Sequence, residues 1–152
     1  MKNVDFGDIL TVENGIIVHG CNNRGVMGSG IAKQIRAKWP DAYHLYSTFI
    51  ATGNYDTMGR VVFYNDPSSR IIIANGITQN GYGNDGQKYV SYKAVAEVFV
   101  EVAIMAETYG HEVHYPMIGA GLGGGDWAII SDVIEGIMSN FPSVKHTLWI
   151  NE

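Results

Sequence analysis

Residues 19–32 read His-Gly-Cys-Asn-Asn-Arg-Gly-Val-Met-Gly-Ser-Gly-Ile-Ala, a stretch that sets glycines, an imidazole, a thiol and two side-chain amides between a short apolar run and a helical pattern. Residues of these types suit anion binding. Glycines let backbone N–H groups face a ligand, and the positive end of the following helix dipole favours a phosphate or pyrophosphate. The glycines fall at 20, 25, 28 and 30, so neither the dinucleotide fingerprint GxGxxG nor a loop ending in Gly-Lys-Ser/Thr fits them. Without a ligand, the same glycines would make only a tight strand-to-helix turn. A second junction of this kind, Met-Ile-Gly-Ala-Gly-Leu-Gly-Gly-Gly-Asp-Trp at residues 117–127, favours the anion reading, because two such loops can clasp one diphosphate.

Regular elements must deliver both loops. The β-branched run at 15–19 reads as a strand, and Ile31, Ala32, Ile35 and Trp39 carry helical spacing from near Ser29 until Pro40 stops it. Residues 3–6 suggest a short edge strand. The runs 60–64 and 70–74, joined by turn residues at 65–69, read as an antiparallel hairpin. Residues 41–53 show no clear period and are expected to form a helical turn and loop. Residues 77–87 form a polar, glycine-rich loop of the length of a lid or substrate contact, or of a mobile loop without function. From Ser91, a cap, to Tyr109 runs a long helix with Tyr92, Val95, Ala96, Phe99 and Ala103 as its apolar stripe and Gly110 as its stop. A strand over 113–118, a helix over 126–140 and a last strand over 146–150 complete the chain. Strands alternating with three helices predict an α/β fold: a three-layer sandwich with a mixed, mostly parallel sheet flanked by helices, whose ligands bind at the carboxyl ends of the strands.

Composition narrows the functional classes. At 152 residues with 46% hydrophobic and 16% charged residues, the chain is expected to be a single domain over 1–152 with one core. The ten Lys and Arg are scattered and the formal net charge is −5, which opposes broad nucleic-acid binding. Cys21 is the sole cysteine, so no intramolecular disulfide forms and a reducing compartment is expected. No secretory or lipidation signal and no 18-residue apolar run is visible, so the expected location is cytoplasmic, away from membranes. His111 and His114 lie three apart on an expected strand and project to opposite faces, which opposes a shared metal.

Taken in order and spacing, Gly-Asp-Ile at 7–9, Val-His-Gly-Cys-Asn-Asn at 18–23, Met-Gly-Ser-Gly-Ile-Ala at 27–32 and Ile-Gly-Ala-Gly-Leu-Gly-Gly-Gly-Asp-Trp at 118–127 resemble a macrodomain, the ADP-ribose-binding fold, over nearly the whole chain. His-x-Cys-Asn followed by Gly-x-Gly-Ile-Ala most resembles the ADP-ribose-1″-phosphate phosphatases and the related terminal ADP-ribose glycohydrolases. The resemblance implies that Asp8 accepts a hydrogen bond from adenine while the Ile9 N–H meets a ring nitrogen; on composition alone Asp8 is an Asx-turn residue. It implies that pyrophosphate lies between Gly25, Val26, Met27, Gly28, Ser29, Gly30, Ile31 and Ala32 on one side and Ile118, Gly119, Ala120, Gly121, Leu122 and Gly123 on the other. Trp149 matches a position where an aromatic stacks on adenine, and reads equally as a core tryptophan. The distal ribose is expected to reach Asn22, His19 and Asp126. His19 would act as general base or acid, or be an imidazole bonded within the core. Asn22 would orient the ribose or its 1″-phosphate, and Asp126 would hold water or simply cap a helix. The glycohydrolases place a nucleophilic lysine where Gln79 and Asn80 stand here, which disfavours a covalent lysyl route. The resemblance therefore implies binding of ADP-ribose or ADP-ribose-1″-phosphate and metal-independent release of phosphate, with no cofactor. The alternatives are an ADP-ribosyl hydrolase acting on modified protein or nucleic acid, and a reader that binds without turnover.

Overall fold

The structure is a computed structural model that describes residues 2–53 and 56–151; residues 1 and 152, the ends of the expected single domain, and residues 54–55 lie outside the described residues. The chain runs through β1 (Lys2–Phe6), a 3-10 turn (Ile9–Thr11), β2 (Asn14–Asn22), α1 (Gly30–Lys38), α2 (Pro40–Thr52), β3 (Val61–Asn65), β4 (Arg70–Gln79), α3 (Tyr92–Tyr109), β5 (Val113–Tyr115), α4 (Trp127–Met138) and β6 (His146–Ile150). The strands form a six-stranded sheet in the order β1-β6-β5-β2-β4-β3. Every pairing is parallel except that of β3 with β4, the expected hairpin.

The sheet is covered on both faces because its central strands carry consecutive apolar residues, Ile16 to Val18 in β2 and Ile71 to Ala74 in β4, rather than alternating ones. Ile16, Val18, Ile72 and Ala74 point into one cluster with Phe99, Val102, Ile130 and Ile134 of α3 and α4. Ile17, Ile71 and Ile73 point the opposite way, onto Ile35, Trp39 and Ala42 at α1 and α2. Four helices on the two faces give the three-layer α/β sandwich that the strand and helix pattern predicts.

Three expectations are corrected. Residues 41–53 are not a helical turn and loop, since Pro40 both ends α1 and opens α2, a 13-residue helix; proline lacks the N–H that the first helical position leaves unbonded anyway. Among the described residues the layers accordingly hold four α-helices, where the sequence pattern predicts three. The strand expected over 113–118 closes at Tyr115, before Pro116, which has no N–H for a ladder. The long helix is as expected: the Ser91 side chain accepts from the Ala94 N–H and Gly110 ends it in the left-handed conformation at φ 75°. Among the described residues, no helix is long and apolar enough to cross a membrane.

Phe99 is fully buried and packs edge-on against Tyr115 with ring centroids 5.3 Å apart, joining α3 to β5 beneath the second glycine loop. Phe99→Ala should cost roughly 3–5 kcal/mol. Denaturant unfolding should show this as a lower midpoint at unchanged slope, and a loss below about 1 kcal/mol would mean that the site collapses around the deletion.

Candidate functional site

Strands β2, β4 and β5 lie side by side and parallel, so their carboxyl ends open on one edge of the sheet. A cleft of about 520 Å3 lies there, within the usual range for a small-molecule site. The first glycine loop leaves β2 for α1 and the second leaves β5 for α4. The β2·β4 register slips between Cys21 and Asn22, so that Cys21 faces Ile77 and Asn22 faces Gln79. This irregularity absorbs Thr78 and brings Gln79 to the floor of the cleft, the usual service of a bulge beside a site.

Asn22 shapes the first loop. Its Oδ1 accepts from the Arg24 N–H at 2.9 Å and the Val26 N–H at 3.4 Å, while Nδ2 donates to the Val26 carbonyl at 2.8 Å. The Tyr46 hydroxyl, 2.6 Å from the Asn22 carbonyl oxygen and 2.9 Å from its Oδ1, donates to that pair from α2. Burial pushes the Tyr46 hydroxyl pKa well up, so it stays a proton donor. Held in this way, the loop brings Val26, Gly28, Ser29, Gly30, Ile31 and Ala32 to the cleft. Gly30 opens α1 at φ 58°, with open space where a side chain would start. From the other wall come Ile118, Gly119, Gly121, Leu122 and Gly123. Gly119 sits at φ 76°, and a Cβ there would stand 2.6 Å from Val90 Cγ2, so this turn admits no side chain. Its carbonyl accepts the Gly125 N–H at 2.8 Å, which closes the loop on itself.

The other anticipated residues stand elsewhere. Met27 is buried beneath the loop with Cys21, Tyr46 and Ile77, and Gly25 turns the backbone at φ 80° beside Ile50. Ala120 is half-buried and does not line the cleft. Asp8 is exposed, and its Oδ1 accepts from the Leu10 N–H at 2.9 Å to cap the 3-10 turn. Ile9 and the half-buried Trp149 pack into one cluster with Ile31, so the Asp8–Ile9 corner adjoins the cleft through Ile31. Trp149 Nε1–H donates to His114 Nδ1 at 3.0 Å.

Two residues expected to carry chemistry are not in the cleft. Asp126 is exposed and caps α4, its Oδ1 accepting from the Ala128 N–H at 2.9 Å; the capping reading of that aspartate is the one the structure bears. His19 is fully buried, because β2 continues past it to Asn22, and its Nε2–H donates to Asn75 Oδ1 at 2.7 Å. Burial lowers the imidazole pKa to about 4, against the opposing pull of the Asn75 hydrogen bond. His19 is therefore a neutral core group near pH 7 and is not among the residues that line the cleft.

Sequence reasoning left out Gly20, Cys21, Pro116 and Met117 of the lining, and it left the loop residues Tyr82, Gly83 and Asn84 without a specific role. Burial raises the Cys21 thiol pKa. No Lys, Arg, His, Asp or Glu is among the described residues lining the cleft. Nor do any three His, Cys, Asp or Glu side chains gather among the described residues as a metal would require.

The His19 environment fixes a pH effect. The native imidazole takes a proton only near pH 4, whereas the unfolded one does so near 6.5, so between these values the unfolded state binds more protons and stability rises with pH. His114 and His146, also lowered by burial, act in the same sense. Chemical denaturation should give falling stability from about pH 6.5 to about pH 4. A His19 ring resonance titrating near 6.5 in the folded protein would contradict this placement.

Comparison with known proteins agrees with this architecture. The Macro domain family model matches residues 18–134. A 17.5 kDa protein of Enterobacteria phage T4, from the tk-vs intergenic region, is 29% identical over 143 residues, covering 90% of this chain and 87% of that one. A protein of unknown function from Bacteroides thetaiotaomicron superposes with a TM-score of 0.88 at 27% identity, over 100% of this chain and 98% of the other. Thermosipho africanus DarTG, solved in complex with ADP-ribose, shares the fold at a TM-score of 0.81 and 17% identity, over 97% of this chain and 41% of that protein. With the family model spanning most of the sequence, both glycine loops included, this chain belongs to the Macro domain family.

Proposed function

We propose that the cleft binds ADP-ribose and that its reaction is hydrolysis of ADP-ribose-1″-phosphate to ADP-ribose and phosphate. The observation that carries this reading is the pair of glycine loops at the carboxyl ends of neighbouring parallel strands, facing one cleft with no acidic side chain among its described lining residues. Pyrophosphate would lie between them, met by backbone N–H groups and the N-terminus of α1. Adenine would lie at the Asp8–Ile9 corner and the distal ribose near Asn22. The ADP-ribose complex of the Thermosipho relative, which has the same fold, supports the choice of ligand.

The choice of reaction rests on which side chains line the cleft. Phosphoryl transfer leaves the protein little covalent work and draws on positioning and on dipoles that stabilise charge on the phosphoryl oxygens. Fixed backbone amides supply both. The anomeric oxygen of the ribose is also a better leaving group than an ordinary alcohol, which lessens the need for a general acid. A covalent lysyl route would require an amine in the cleft, where Gln79 stands instead.

ADP-ribose at about 100 times its Kd should stabilise the fold by roughly 2.7 kcal/mol, raising Tm by roughly 5–10 °C; no shift at millimolar ligand would reject the binding site. Gly28→Glu should abolish binding without unfolding the protein, since a Cβ there meets nothing closer than Val26 Cγ1 at 3.5 Å while the carboxylate would repel the diphosphate. Asn22→Ala should weaken both binding and phosphate release. Wild-type protein that binds ADP-ribose but releases no phosphate from ADP-ribose-1″-phosphate would be a reader, or a hydrolase of ADP-ribosylated macromolecules if it frees ADP-ribose from those.

A further inference from the structure

The loop between β4 and α3 is fastened at both ends to the two glycine loops, and Asn23 makes the first attachment. Its backbone N–H donates to the Gln79 carbonyl at 2.9 Å, its Oδ1 accepts from the Gly81 N–H at 2.9 Å, and its Nδ2 donates to Asn80 Oδ1 at 3.1 Å. At the far end the Tyr89 and Val90 N–H groups donate to the Gly123 carbonyl at 2.7 and 3.1 Å. The Tyr89 hydroxyl donates to the Asp85 carboxylate at 2.8 Å and draws the intervening chain together. Between these fastenings Tyr82, Gly83 and Asn84 line the cleft, Tyr82 with 57% of its surface exposed. Asn23 itself does not line it.

The sheet order says which end of the cleft this wall closes. Asp8 follows β1 and Trp149 lies on β6, both to one side of β2, whereas Tyr82 follows β4 on the other side. An ADP-ribose with adenine at the Asp8 corner therefore extends its distal ribose toward Tyr82. Resting on the ADP-ribose reading above, we propose that Asn23 is a positioning residue for the distal ribose: by holding residues 80 and 81 it sets Tyr82 and Asn84 as a fixed wall that distinguishes ADP-ribose from ligands ending at the diphosphate. Exposed, glycine-rich chain would otherwise sample many conformations, and the ligand would have to order it on binding.

The test compares ADP-ribose with ADP, which lacks the distal ribose, by calorimetry on the wild type, Asn23→Ala, Tyr82→Ala and the double variant. Asn23→Ala should weaken ADP-ribose about tenfold, the scale of one or two net hydrogen bonds, and leave ADP within about twofold. Tyr82→Ala should show the same selective loss. The double variant should lose no more than about the larger single effect, since both act through one wall. Hydrogen exchange across residues 80–84 should quicken in Asn23→Ala without ligand, and would move even if Asn23 only stabilised the loop; the ADP-ribose to ADP ratio separates the two roles. Equal loss of both ligands, no loss, or unchanged exchange would each overturn the proposal. A wild-type protein that binds neither nucleotide would reject the ADP-ribose reading itself, and this proposal with it.

Discussion

Strand β2 pairs in parallel with β4 on one side and β5 on the other, and the positions of both glycine loops follow from that pairing. Parallel strands end at the same edge of a sheet, and neighbouring strands lie about 4.8 Å apart. The exits of β2 and β5 are therefore adjacent before any loop residue has been chosen. Helices must return the chain to the opposite edge, so α1 and α4 both start where the strands stop. A diphosphate placed there meets two sets of amides without any long-range adjustment of the chain.

The electrostatics follow from the same arrangement. The chain carries a formal charge of −5, and its cleft has no cationic side chain among the described lining residues, so attraction for an anion has to come from oriented dipoles. Such dipoles are useful only if the backbone is already in place. Asn22, with three acceptor contacts at Oδ1 and Tyr46 behind it, holds the first loop before a ligand arrives. Gly119 and Gly123, packed so closely that a Cβ would strike Val90 or the Gly119 carbonyl, hold the second. An amide cradle also suits a site meant for one compact anion rather than a polyanion, because it has no clustered charge to attract a nucleic-acid backbone.

Much of this was legible in the sequence where one local cause decides the structure. Ser91 and Gly110 bracket α3 because a cap and a left-handed stop act within a turn; the hairpin of β3 and β4 follows from the turn residues at 65–69; and the spacing of the two glycine runs pointed to most of the cleft lining. What was not legible depends on partners distant in sequence. Helix α2 escaped because only Ala42 and Tyr46 of it are fully buried, too few to show a stripe. Gln79 looked like loop because Thr-Gln-Asn has no strand pattern, yet pairing with β2 carries β4 through it. Asp126 carries the same residue type whether it caps a helix or holds a ligand, and only the Ala128 N–H at its side chain distinguishes the two.

His19 shows why a polar residue can belong in such a core. It is the register partner of Asn75 across the β2·β4 ladder, and the two side chains bond directly at 2.7 Å. Asn75 spends its amide protons on the carbonyls of Ala42 in α2 and Val62 in β3, at 3.2 and 3.1 Å. Four elements thus share one buried amide. Slipping β4 by one residue would set His19 opposite Ala74 or Gly76, neither with a polar side chain, and would strand the imidazole and the amide in an apolar layer at a cost of a few kcal/mol. An all-apolar pairing would impose no comparable penalty, since Ile against Ile and Ile against Val bury similar surface. The His19–Asn75 register runs on to Cys21 against Ile77, and one irregularity beyond it sets Asn22 against Gln79 in the cleft lining, so the buried pair anchors the ladder from which the site's strand ends leave.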